Sequence, residues 1–124
     1  METSGLNHII MTIKDVKISR AFYADVLGFE IKDIADGFLF ITGGVSIFFF
    51  PSNHPIPDDR FNEFRLGLDH LSFTAPSEIV LQRFADHLID SGVETKGVER
   101  YFTGNKYVAF RDPDNIQLEY WLPK

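Results

Sequence analysis

LDHLSFTA (residues 68–75) repeats LNHIIMTI (residues 6–13) about 60 residues further along the chain. In each stretch apolar residues alternate with others, as in a half-buried strand. Each holds a histidine in third place, His8 and His70. The segments after the two stretches are also alike. After the first comes KISRAFYADVLGF (17–29), whose Ile18, Phe22 and Val26 predict one helical stripe with Ala21 beside it. Gly28 is placed to end that helix. Three strand-like pieces come next, FEIKDI, GFLFIT and VSIFFF, separated by turns at Asp36-Gly37 and Gly43-Gly44. After the second comes a helix from about Ser77, with Ile79, Val80, Phe84 and Leu88 as its predicted stripe and Gly92 beyond its end. ETKGVERY, KYVAFRD and IQLEYW then read as strands.

Each half is therefore β-α-β-β-β. The expected fold is α+β, a single domain over 1–124 made of two βαβββ modules. Module 1 covers about 5–52, a Pro-rich linker about 53–66, and module 2 about 67–122. One such unit has too little sheet and helix to bury a core well. Two together predict a curved mixed sheet with helices on its outer face and a cavity on its inner one.

Composition narrows the function. The net charge of −6 and the lack of a basic stretch exclude the electrostatic footprint of a nucleic-acid binder. No segment approaches the ~20 apolar residues of a membrane span. The first residues lack the basic start and apolar run of a signal peptide, so a cytoplasmic protein is expected. With no cysteine, disulfides, thiolate metal sites and a Cys nucleophile are excluded. Any metal must be held by His, Asp or Glu.

Strand alternation sorts the polar residues. Leu6, His8, Ile10 and Thr12 share a face, as do Leu68, His70, Ser72 and Thr74. In the last strand Gln117, Glu119 and Trp121 share one, while Ile116, Leu118, Tyr120 and Leu122 take the other. The more uniformly apolar faces suit the helix layer, which leaves His8, His70 and Glu119 on the inner face. Two imidazoles and a carboxylate suit one divalent ion of Fe, Mn, Zn, Ni or Co, with positions left open for substrate. The alternative, two satisfied strand histidines and a solvated glutamate, is weakened because both histidines hold the same place in the repeat.

LNHIIMTIKDV, SRAFYADVLGFE, GLDHLSFTA and FRDPDNIQLEYW, in that order over nearly the whole chain, resemble the vicinal oxygen chelate superfamily. That group includes glyoxalase I, extradiol dioxygenases, fosfomycin-resistance enzymes and bleomycin-binding proteins. The resemblance implies the glyoxalase/bleomycin resistance/dihydroxybiphenyl dioxygenase fold, with ligand positions at His8, Phe48, His70 and Glu119. Phe48 cannot ligate, which departs from glyoxalase I and leaves a 2-His-1-Glu set. It implies a metal-dependent enzyme acting on a small apolar or aromatic substrate chelated through neighbouring oxygens, by dioxygenase-like or lyase/isomerase chemistry. The alternatives it leaves are a fosfomycin-type thiol transferase and a non-catalytic bleomycin-type binder. A homodimer is implied as well, the modules pairing within a chain or between two.

The extradiol pattern places a catalytic Tyr at what is here Ala109. Tyr107, two residues earlier on the same face, is the substitute candidate, and His54 in the linker is a second acid–base candidate. Phe48, Trp121, Gln117, Ser72 and Ser46 are expected to line the substrate pocket, one of the polar three orienting a ligand. Asp112-Pro113-Asp114-Asn115 reads as a structural turn.

Overall fold

The computed structural model describes all residues, Met1–Lys124. The chain divides into two compact units, Met1–Asp59 and Arg60–Lys124. Each holds one four-stranded mixed sheet.

The first unit runs β1 (His8–Ile13), α1 (Val16–Ala21), a π-helical turn (Phe22–Val26), β2 (Lys32–Ile34), β3 (Gly37–Thr42) and β4 (Val45–Pro51). The sheet order is β1-β4-β3-β2, with β1 parallel to β4 and the other pairs antiparallel. Asp15 caps α1, its carboxylate accepting from the Ile18 amide at 3.0 Å. Met11, Ile13, Ile47, Phe49, Phe38 and Phe40 alternate onto one face and are buried there. Tyr23, 1% exposed, fills the space against them, its ring 4.4 Å from that of Phe49 and 5.7 Å from that of Phe40. At the start of β3 only glycine fits: a Cβ on Gly37 would lie 2.0 Å from the Phe49 carbonyl oxygen.

The helical stripe differs from expectation. Ile18 is 57% exposed, and Ser19, Phe22 and Tyr23 are the buried positions. Ala21 is exposed and Val26 half-buried. Ser19, Phe22 and Tyr23 lie on one i, i+3, i+4 face, with Ile18 and Ala21 outside it; the π-helical turn, which starts at Phe22, shifts only the positions after it, such as Val26.

The second unit runs β5 (Leu71–Thr74), α2 (Glu78–Asp90), β6 (Val98–Arg100), β7 (Lys106–Arg111) and β8 (Gln117–Leu122). Its order, β5-β8-β7-β6, repeats that of the first, again with the outer pair parallel. Ser77 caps α2 through the Val80 amide. The helix buries Leu81, Ala85 and Leu88, with Phe84 edge-on to Phe110 and Tyr120. Here Ile79, expected inside, is 65% exposed. Leu81, Phe84, Ala85 and Leu88 lie on one i, i+3, i+4, i+7 face, and Ile79 falls outside it.

β7 and β8 are joined by a tight turn at 112–115, as expected. The 6% exposed Asp112 carboxylate accepts from the amides of Asp114 at 2.9 Å and Ile116 at 2.8 Å. Asn115 takes a left-handed φ of 69°, which its short polar side chain tolerates. That side chain also straps the preceding segment, donating to the Phe61 carbonyl and accepting from Arg60.

Candidate metal centre

Pairing in the second sheet lays out one face in rows. Glu119 of β8 lies between Ser72 of β5 and Ala109 of β7. One rung along, Trp121 lies between Thr74 and Tyr107. On the other side Gln117 pairs with Arg111. Leu71, Phe73, Val108, Phe110, Leu118 and Tyr120 alternate away, and the rings of Phe110 and Tyr120 meet α2. The division of faces is the one read from alternation.

His70 immediately precedes β5. Its Nε2 lies 3.4 Å from Oε2 of Glu119, a side chain only 14% exposed. Its Nδ1 lies 2.7 Å from Oδ1 of Asp69. A carboxylate oxygen accepts, so Nδ1 carries a proton, and Nε2 is the nitrogen left to face Glu119 and to serve as a metal donor. Two donors each about 2.0–2.2 Å from one ion stand about 3–3.4 Å apart, so this pair fits a shared ion. Within neither unit are three or more His, Asp or Glu side chains gathered into a group that could hold a metal.

The first unit repeats the device. His8 is exposed, and its Nδ1 lies 2.7 Å from Oδ1 of Asn7, again leaving Nε2 as the free nitrogen. His8 pairs with Ser46. Phe48 pairs with Ile10 and Leu39, the register that Glu119 holds against Ser72 and Ala109 in the second sheet. Its ring lies edge-on to His8 at 5.9 Å and stacks on Phe50 at 6.0 Å. The register position that Glu119 holds in the second sheet is thus filled in the first by an aromatic ring.

The second unit therefore brings together His70, Glu119, Ser72, Gln117, Trp121 and Tyr107; the first holds His8, Ser46 and Phe48 on one face. His54 lies exposed beyond β4, its amide donating to Ser52 Oγ. The phenol of Tyr107 is raised above its usual pKa by burial and then by the charges of Glu99 and Glu119. At neutral pH it is a hydrogen-bond donor rather than a base.

Four participants were not singled out from sequence. Asn7 and Asp69, not the serines or Gln117, orient the histidines; both directly precede them, a signal present in the repeat as NH and DH. Gln117 instead accepts from Arg111 Nη2 at 3.2 Å. Arg111 itself grips Glu63 through both terminal nitrogens, at 3.0 and 2.5 Å, and donates to the Asn115 carbonyl. That pairing, with Glu63's own backbone amide, holds the Glu63 carboxyl down at about 2.

A sequence model of the Glyoxalase/Bleomycin resistance protein/Dioxygenase superfamily matches residues 5–120. The chain is 32% identical to the uncharacterized protein YaeR of Escherichia coli (strain K12), over 92% of each chain. It is 27% identical to the metallothiol transferase FosB of Staphylococcus epidermidis, over 96% of this chain and 82% of that one. Among solved structures, a glyoxylase/bleomycin resistance protein/dioxygenase domain from Frankia sp. EAN1pec superposes with a TM-score of 0.87 at 30% identity, over 99% of this chain and 100% of that one. With the repeated modules and their histidines already in view, a match of this length leaves one conclusion: the chain belongs to the Glyoxalase/Bleomycin resistance protein/Dioxygenase superfamily.

Proposed function

We propose that this chain is a divalent-metal-dependent enzyme in which His8, His70 and Glu119 hold the ion. The observation that carries this is the facing pair His70 Nε2 and Glu119 Oε2, with both histidines turned by a neighbour so that Nε2 is the free nitrogen. Members of this superfamily generally use a divalent metal. An ion of Fe, Mn, Zn, Ni or Co held there would supply Lewis-acid polarisation of two neighbouring substrate oxygens. The protein's own part is to bind and orient. Ser72 and Gln117 flank the ligands on the polar rungs, Tyr107 can donate a proton to an oxygen, and Phe48 and Trp121 offer apolar contact. His8 belongs to the other module, and a homodimer is part of this reading. The substrate is a small apolar or aromatic molecule, and the reaction is of the dioxygenase or lyase/isomerase type. No helix is long and apolar enough to cross a membrane, and we place the enzyme in the cytoplasm.

A second reading, a thiol transferase of the fosfomycin-resistance kind, draws on the likeness to FosB. Against it, Arg111, the arginine beside the ligand row, already donates four times from its two terminal nitrogens. A third, non-catalytic binding of a drug, is disfavoured by the ligand pair itself.

Chelator-treated protein titrated with each metal should take up one ion per site, with a rise in Tm. His70→Ala and Glu119→Ala should abolish both effects. Wild-type protein that takes up none of the five metals stoichiometrically would overturn the reading.

A further inference from the structure

One end of the second unit's ligand face is built from aromatic rings. Tyr107 and Trp121, cross-strand neighbours, lie 5.8 Å apart with their planes only 23° off parallel. They make a floor. Tyr101, in the turn after β6, stands nearly upright on it: its ring is 5.5 Å from Trp121 at 67° and 6.3 Å from Tyr107 at 79°. Floor and wall form a corner. Tyr101 is 44% exposed and Phe102, 4.5 Å from it at the tip, is 87% exposed, so the corner is reached from solvent.

Charge is divided around this corner: carboxylates lie on the Tyr107 side, while at the far end of the turn the Arg100 guanidinium donates to the Gly104 carbonyl at 3.2 Å and the Lys124 side chain lies beside Gly104. Glu99 of β6 pairs with Tyr107 and shares its face, and Glu119 is one rung further on. Both carboxylates act on the Tyr107 phenol. The basic residues of the same hairpin, Arg100 and Lys106, alternate to the other face, where Lys106 pairs with Glu78 of α2. Arg111, on the near face, is committed to Glu63. Aromatic faces carry negative potential, and two carboxylates beside them deepen it. A neutral aromatic ring would gain from stacking alone. An anion would be repelled. A group that is both apolar in bulk and positively charged gains from the rings and from the carboxylates on the Tyr107 side.

We propose that the corner of Tyr101, Tyr107 and Trp121, with Glu99 at its side, is a subsite for an organic cation, an alkylated or aromatic ammonium group. The subsite needs no metal and goes beyond the proposed reaction. If the metal reading also holds, Glu99 alone supplies the unshared charge, because Glu119 would then be engaged.

Trp121 is the only tryptophan of the chain, so its fluorescence reports the corner directly. Chelator-treated protein is titrated with benzyltrimethylammonium, benzyl alcohol and phenylacetate, none of which offers the vicinal oxygens of a chelated substrate. The cation should give a saturable change with a Kd about ten-fold or more below that of the alcohol, and phenylacetate should bind most weakly. Glu99→Gln should weaken the cation about three- to ten-fold and leave the alcohol unchanged. Tyr101→Phe should retain binding and Tyr101→Ala should lose most of it. The proposal is overturned if alcohol or phenylacetate binds as tightly as the cation, if Glu99→Gln affects cation and alcohol equally, or if the cation leaves Trp121 emission unchanged. Metal uptake plays no part in these readouts, so failure here leaves the metal reading intact, and the reverse.

Discussion

Asn7 and Asp69 do the same work with different strength. Both accept from a histidine Nδ1 at 2.7 Å, but only Asp69 brings a full negative charge. A carboxylate behind an imidazole both fixes the tautomer and makes the ring a better donor. Asp69→Ala should therefore lower metal affinity by about 10–100-fold, while Asp69→Asn, which keeps an acceptor oxygen, should lose less. Competition against a chromogenic chelator measures both, and equal affinity in Asp69→Ala and wild type would refute the orienting role. Phe48 makes the complementary point. Its register matches that of Glu119, so the duplicated scaffold accepts an apolar ring at this position, and packing alone does not require the carboxylate.

At the scale of the element, alternation and turn chemistry carried the strands; helical spacing carried less. The repeat of two strands 60-odd residues apart, the Asp112–Asn115 turn and the faces of β1, β5 and β8 were all legible, because a period of two leaves a residue only two choices. The helices misled at Ile18, Ala21 and Ile79. In the first Ser19, Phe22 and Tyr23 rather than Ile18 and Ala21 turn to the sheet, and the π-helical turn breaks the period only beyond Phe22; in the second Leu81 rather than Ile79 turns to the sheet. This difference is testable. Leu81→Ala should cost about 2–5 kcal/mol in denaturant unfolding, whereas Ile79→Ala should change stability by about 0.5 kcal/mol or less. The site's helpers escaped notice for another reason. Asn7 and Asp69 act on an adjacent residue, and Glu63 acts from a segment without regular structure, so no periodicity marks them. Glu63 ties that segment to β7, and its carboxyl is held at about 2 against an ordinary 4.5. A lowered folded pKa contributes stability that is complete above about 4.5 and is lost as pH falls toward about 2. Wild-type Tm should therefore fall more steeply through that window than the Tm of Glu63→Gln. Parallel curves would show that the pairing adds nothing to stability.

For the molecule as a whole, duplication has produced two sheets of one topology and unlike chemistry. The face of the first that holds His8 is otherwise mostly apolar, with Ile10, Leu39, Ile41, Phe48 and Phe50; that of the second carries Glu119, Gln117, Ser72 and Glu99. The shared topology also implies an order of events in time. In each unit the hairpin strands meet across a short turn, Thr42 with Val45 and Arg111 with Gln117. The parallel partners, His8 with Ser46 and Leu71 with Leu118, lie far apart in the chain and are separated by a helix. Closing a long loop costs more entropy than closing a short one, and hairpins form within about 1–10 μs. During refolding, amides of β7 and β8 should gain protection from pulsed hydrogen exchange before those of β5, and β3 and β4 before β1. The histidine-bearing segments would then dock last, so each histidine-bearing face is finished only when its slowest strand arrives.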